Sequence, residues 1–324
     1  MALVAVTDHP FPDLGVAREI LEAAGHTVVE HQCRTAEDVA RTCTEADGLL
    51  NTYVPLPGTT LAALTRCRAI ARFGIGVDTV ALDAADRLGI ILTNVPDYCT
   101  GEVADHTLAL LLAVQRRIVQ LDRDVHHGGW NVFGAGPIRR LQDAALGLVG
   151  AGRIPRAVAR RAEAFGLRVL AYDPHLSEEA WPAQLERRPS LDALADDSDF
   201  LSVHAPALSE THHIIDERLL RRMRPHAILI NTARGALVDS DALARALRER
   251  WIAGAGLDVV EHEPLEAKHE LRAIAEVVLT PHTAFYSEES LRELQRKAAE
   301  QLRAALAGER PQYLVNDPAP VVRS

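Results

Sequence analysis

Three polar residues stand just beyond short apolar runs: Arg234 in Asn231-Thr-Ala-Arg234-Gly235, Glu263 in Gly256-Leu-Asp258-Val-Val-Glu-His-Glu263-Pro264, and His282 in Thr280-Pro-His282. In an open parallel sheet, ligands bind beyond the carboxyl ends of the strands. A guanidinium placed there grips a carboxylate with two parallel hydrogen bonds, and an imidazole beside a carboxylate can pass a proton near neutral pH. Singly, each residue has a plainer explanation as a solvated charge or a structural histidine. The chain holds 14 histidines, so one more decides nothing. The three together, each following a separate apolar run, point to anion binding coupled to proton transfer.

A second constellation supplies a cofactor site. LGLVGAGRIPRAVARRAEAFGLRVLAYDPH reads as strand, glycine turn, helix and second strand, with Asp173 standing 23 residues after Gly150. This is a dinucleotide-binding fingerprint in its proper setting. Gly150 permits the tight turn, Gly152 lets the backbone approach a pyrophosphate, and the first helical amides, Arg153 and Ile154, face the anion. Pro155 occupies the third glycine position. In the first helical turn proline forfeits only an N–H without an intrahelical partner, so the helix should survive with slightly wider packing on the strand. A carboxylate at Asp173 accepts hydrogen bonds from ribose hydroxyls and repels a 2′-phosphate, which favours NAD over NADP. The segment Phe73-Gly74-Ile75-Gly76-Val77-Asp78 lacks the third glycine and a suitably spaced acid; it reads as a turn exposing amides to a carboxylate.

These residues need a scaffold. Apolar runs at Leu3, Thr27, Gly48, Ala69 and Ile90 alternate with helical patterns, and a second series begins at Ala144 and continues through Leu167, Asp199, Ala227, Ala253 and Glu276. Such alternation predicts parallel sheets built from βαβ units. A helix from about Glu102 to Val125, apolar nearly all round in its first half, belongs in a core or at a subunit interface. The second series interrupts the first, which predicts a discontinuous first domain, 1–98 plus 284–324, and an inserted domain, 99–283.

Composition narrows the class. Of 324 residues, 45 are acidic and 35 basic, and the formal charge of −10 argues against a nucleic-acid partner. No apolar run approaches the ~20 residues of a membrane span, and the amino terminus reads as a strand rather than a signal peptide, which fits a cytoplasmic protein. Cys33, Cys43, Cys67 and Cys99 lack metal-type spacing and read as small packed thiols. No metal is expected.

With these motifs in this order, nearly the whole chain resembles the D-isomer-specific 2-hydroxyacid dehydrogenase family. YDPHLSE, THHII and HTAFYSEES look like its C-terminal-binding-protein branch, which includes NAD(H)-binding corepressors as well as bacterial enzymes. The resemblance implies an α/β fold of two doubly wound parallel-sheet domains, a flavodoxin-like substrate domain and a Rossmann NAD-binding domain, with a cleft between. It implies that Arg234 binds the substrate carboxylate, that His282 is the general acid and base, and that Glu263 orients it. Asp258, His204 and Ala233 would lie against the cofactor. Tyr53, the amides of Ile75, Gly76 and Val77, and the rings of Phe285 and Tyr286 would contact the substrate. The implied reaction is reversible reduction of a 2-oxo acid to a D-2-hydroxy acid with NAD(H), in a homodimer packed through the apolar helix.

Two other readings compete with this one. The first is an NAD(H)-sensing interaction protein, motivated by the corepressor likeness, for which the intact Arg234, Glu263 and His282 set would be superfluous. The second is a family dehydrogenase acting on a different small anion such as formate. A histidine paired with glutamate favours a 2-oxo acid, because hydride removal from formate needs no proton donor to a carbonyl.

Overall fold

The computed structural model describes residues 1–318. The chain divides into two compact units: Met1–Tyr98 together with the segment from Ser287 onward, and Cys99–Tyr286.

The first unit holds a five-stranded parallel sheet of β1 (Leu3–Val6), β2 (Thr27–Glu30), β3 (Gly48–Asn51), β4 (Ala69–Arg72) and β5 (Ile91–Thr93), in the order β2-β1-β3-β4-β5. That is the flavodoxin-like order. β3 is buried at every position and β1 at three of four, as strands covered on both faces should be. Helix Glu288–Leu306 packs on β3, β4 and helix Gly15–Ala23. Its start is fixed by a capping box in which Ser287 accepts from the Ser290 amide and Ser290 returns the bond. The end of the chain's helical sequence thus belongs to the unit that its beginning opens.

The second unit holds seven parallel strands: β6 (Ala145–Val149), β7 (Arg168–Tyr172), β8 (Glu186–Arg187), β9 (Phe200–Val203), β10 (Ile228–Asn231), β11 (Gly254–Leu257) and β12 (Val277–Leu279). Their order is β12-β11-β10-β9-β6-β7-β8. The reversal falls between β6 and β9, so the carboxyl ends of those two strands flank the crevice in which such sheets bind ligands. Leu146, Leu148, Leu201, Leu229 and Ile230 are fully buried between the covering helices.

The long apolar helix is a core element of this unit. Thr100–Gln115 packs on helix Arg153–Ala164 and on β10 and β11. A Cβ added to Gly256 would stand 2.9 Å from Leu110 Cβ, and one on Gly254 would stand 2.7 Å from Val114. The glycines of β11 let this helix lie directly on the strand, so one face of it belongs to the core of this unit. It is also shorter than its pattern suggests. Arg117 adopts a left-handed φ of 55°, and a separate helix, Ile118–His126, follows. No glycine or proline marks that break.

Candidate active site

Arg234 follows β10, Glu263 lies beyond β11, and His282 follows β12, so all three belong to the carboxyl edge of one sheet. His282 Nδ1 stands 2.7 Å from Glu263 Oε2. Glu263 Oε1 accepts from the Val260 amide at 3.2 Å. Burial pushes the Glu263 carboxyl up, but the hydrogen bond and charge of His282, the Val260 amide and the charge of Arg234 outweigh it and hold the group below its ordinary value. An ionised carboxylate only accepts, so Nδ1 carries hydrogen and Nε2 is left for exchange of a proton. Arg234 is half-buried, and Asn231 Nδ2 holds its carbonyl oxygen at 2.8 Å.

His282 sits in the left-handed region, φ 52°, which costs an L-residue roughly 1–2 kcal/mol. Its amide donates to the Asp258 carbonyl at 2.7 Å. The Asp258 carboxylate, 2% exposed, accepts from Thr280 Oγ1 at 2.6 Å and from the amides of Thr283 and Ala284 at 2.9 Å each. Asp258 therefore spends its carboxylate on the loop that carries His282. Asp258 thus anchors this loop, whatever else its carboxylate meets. Phe285 meets the His282 ring edge to face at 6.4 Å, while Tyr286 is exposed.

The glycine turn lies after β6. Gly150 takes φ 108°, and a Cβ there would stand 3.2 Å from the His204 carbonyl oxygen, so the turn and the His204 loop are in close approach. Gly152 precedes helix Arg153–Ala164 without a side-chain cap, and no atom comes within 4 Å of a Cβ built on it. Pro155 is accommodated in the first helical turn. Asp173, beyond β7, points its carboxylate at the turn and accepts from the Ala151 and His175 amides at 3.0 Å. His204 Nε2 pairs with Ser202 Oγ at 2.9 Å, and burial pushes its imidazole down to about 3. The Ala233 amide donates to Asn231 Oδ1 at 3.0 Å and its carbonyl accepts from Arg234 Nη1 at 2.8 Å, which leaves its methyl group as the part able to meet a ligand.

The remaining substrate-side residues belong to the first unit. The Tyr53 amide donates to Asp8, and its ring is exposed. In the turn after β4, Gly74 has φ 151°, and the Ile75 carbonyl accepts from Asn94 at 2.6 Å. Gly76 and Val77 follow without regular secondary structure, and the Val77 carbonyl accepts from the Val80 amide at 3.0 Å.

Residues 108–284 match the profile of the D-isomer specific 2-hydroxyacid dehydrogenase, NAD binding domain. The chain is 42% identical to a glyoxylate reductase of Korarchaeum cryptofilum, over 83% of this chain and 82% of that protein. It is 37% identical to a glyoxylate reductase of Thermofilum pendens, over 95% and 92%. The chain belongs to the D-isomer-specific 2-hydroxyacid dehydrogenase family. Among solved structures, the D-lactate dehydrogenase of Aquifex aeolicus, complexed with NAD and lactic acid, covers 98% of this chain and 100% of its own at a TM-score of 0.87 and 29% identity. Membership of this 2-hydroxyacid dehydrogenase family makes the protein an NAD-dependent oxidoreductase of 2-hydroxy acids.

The residues of this dehydrogenase fit NAD. The open space over Gly152 and the uncapped helix behind it leave room for an anion, with the Asp173 carboxylate beside the turn. Among the described residues no helix is long and apolar enough to cross a membrane. All four cysteines are buried.

Sequence reasoning missed His106. Its Nε2 lies 2.9 Å from Thr280 Oγ1 and 3.5 Å from Asp258 Oδ1, so this helix also braces the loop that carries His282. Its place beside the fully buried Thr107, at the start of the apolar run from Leu108, was the available signal.

Proposed function

We propose that the protein reduces a small 2-oxo acid to a D-2-hydroxy acid, with His282 as proton donor and glyoxylate as the first substrate to test. The 2.7 Å pairing of His282 with Glu263 carries this reading, because it fixes the hydrogen on Nδ1 and leaves Nε2 to serve the substrate oxygen. Glyoxylate is favoured by the glyoxylate reductases at 37–42% identity.

When bound, the nicotinamide supplies or accepts hydride at the substrate C2. The cofactor's pyrophosphate would be held by the Arg153 and Ile154 amides after Gly150 and Gly152, and its ribose by Asp173. Arg234 would bind the substrate carboxylate and polarise the neighbouring carbonyl. Protonated His282 gives the proton at Nε2 to the carbonyl oxygen; in the reverse direction the neutral ring takes it from the hydroxyl. Ionised Glu263 faces the ring throughout and stabilises its charged form. The same reading has the protein acting as a homodimer in the cytoplasm.

NADH consumption measured across a panel of 2-oxo acids, with chiral analysis of the product, tests the activity. Turnover of glyoxylate or another 2-oxo acid is expected, with D product wherever C2 is chiral. NADH binding without turnover of any member would favour an NAD(H)-sensing interaction protein. His282→Ala should lower kcat by ~10²–10⁴-fold, the usual contribution of a positioned acid, with NADH affinity retained. An unchanged kcat would assign the proton to another group.

A further inference from the structure

Within the second unit, His212, His213 and Glu261 each bring one ligand atom to within 4.8 Å of the others. His213 Nε2 stands 2.6 Å from Glu261 Oε1, and His212 Nε2 stands 4.0 Å from the same oxygen. The two imidazoles stack at 4.0 Å between centroids. Both rings and the carboxylate retain solvent access, with side-chain exposures of 56%, 31% and 22% for His212, His213 and Glu261.

The backbones beneath these side chains are fixed independently of them. The His213 amide donates to the Ala236 carbonyl at 2.9 Å. Gly235 lies so close to the Val260–Glu261 peptide that an added Cβ would fall 1.9 Å from the Val260 carbonyl carbon. Two segments held in this way bring two imidazole nitrogens and one carboxylate oxygen within 4.8 Å of one another. Only one proton can bridge the carboxylate to an imidazole at a time, and the 4.0 Å separation leaves the second ring outside hydrogen-bond reach.

Two imidazoles and a carboxylate form a borderline donor set, suited to Zn²⁺, Co²⁺ or Ni²⁺ rather than to Mg²⁺ or Ca²⁺. Metal–ligand bonds of about 2.0–2.2 Å put tetrahedral ligand atoms about 3.3–3.6 Å apart. The observed 2.6 and 4.0 Å separations bracket that span, so small side-chain rotations suffice. We propose that His212, His213 and Glu261 form a divalent transition-metal site, filled by Zn²⁺ with water as fourth ligand. The ion displaces the bridging proton to solvent. It ties the His212–His213 segment to the stretch between Asp258 and Glu263, outside the catalytic set.

Calorimetric titration of chelator-treated full-length protein with ZnCl₂ tests the site. One equivalent is expected to bind and to raise Tm, since a ligand of the folded state stabilises it. His212→Ala removes a mostly exposed side chain, so the fold should persist while Zn²⁺ affinity falls at least tenfold; Glu261→Gln should do the same. Co²⁺ used as a probe should give tetrahedral visible absorption in the wild type and lose it in His212→Ala. His282→Ala should retain the Zn²⁺ stoichiometry. Absence of a stoichiometric site in the wild type, unchanged affinity in both ligand variants, or loss of Zn²⁺ in His282→Ala would each overturn the proposal.

Discussion

At the scale of single residues, the chemistry depends on which protonation states the fold enforces. Glu263 is held below its ordinary value of 4.5, so its pairing with His282 is complete above that pH and is lost only as pH falls through the lowered value. Glu263→Gln keeps a neutral acceptor for Nδ1 but removes the anion. The pair is more than one-third exposed, so solvent screens it, and a roughly tenfold fall in kcat with unchanged NADH affinity is expected. Steady-state kinetics on glyoxylate would check this, and equal kcat would leave Glu263 a bystander. His204 works in the opposite sense. Burial lowers its imidazole from 6.5 to about 3, so the unfolded chain binds a proton that the folded one refuses. Stability from this group is full above pH 6.5 and erodes as pH falls toward the folded value. His204→Gln should therefore show a shallower decline of Tm than the wild type between pH 6.5 and 4, and parallel declines would assign the acid sensitivity elsewhere. The placement of Arg234, Glu263 and His282 beyond strand ends, and of Asp173 beside the glycine turn, was legible because residue type and position relative to the apolar runs agreed. The anchoring role of Asp258 was not, since an acid after a strand looks the same whether it meets a ligand or the amides of Thr283 and Ala284.

Elements decide whether those side chains arrive at the same place, and here two glycines separate fold from binding. Gly150 needs its left-handed φ of 108° and lies against the His204 loop, so Gly150→Ala should lower stability by about 1–2 kcal/mol and disturb the turn. Gly152 has φ −74° and open space above it. Gly152→Ala should therefore keep the wild-type Tm while weakening NADH binding at least tenfold, because its methyl group would occupy the path of the pyrophosphate. Thermal melts with fluorescence titration of NADH would separate the two effects; an unchanged Kd would remove this turn from the cofactor site. The alternation of strands and helices was readable because parallel strands covered on both faces are short apolar runs. The break at Arg117 was not. Apolar periodicity runs on through Ile118, and the left-handed residue that ends the first helix is an arginine rather than a glycine. The fate of the apolar helix was likewise hidden, because only the close approach of Gly254 and Gly256 shows that it lies on a strand.

For the whole molecule, the question of assembly turns on which apolar side chains the single chain leaves exposed. Trp130, Val132 and Phe133 lie on the loop after helix Ile118–His126 and are 88%, 83% and 83% exposed. Ile118 and Val125 on that helix are also about half exposed. Isolated apolar residues on a surface need no explanation, but a tryptophan and a phenylalanine fully presented on one loop mark a contact surface. Aromatic side chains of this kind dominate association energies when a partner desolvates them. In the homodimer proposed above, a second copy would cover this patch by the self-complementary rule of a twofold dimer, in which the same surface serves both subunits. Light scattering of the wild type should give twice the 35.3 kDa chain mass. Trp130→Asp combined with Phe133→Asp buries a charge in that contact and should return the mass to one chain. Both side chains are solvent-exposed in the single chain, so the variant should keep the fold and its far-ultraviolet circular dichroism. A wild type of single-chain mass would exclude the dimer, and a folded double variant that remained at twice the mass would place its interface on another surface.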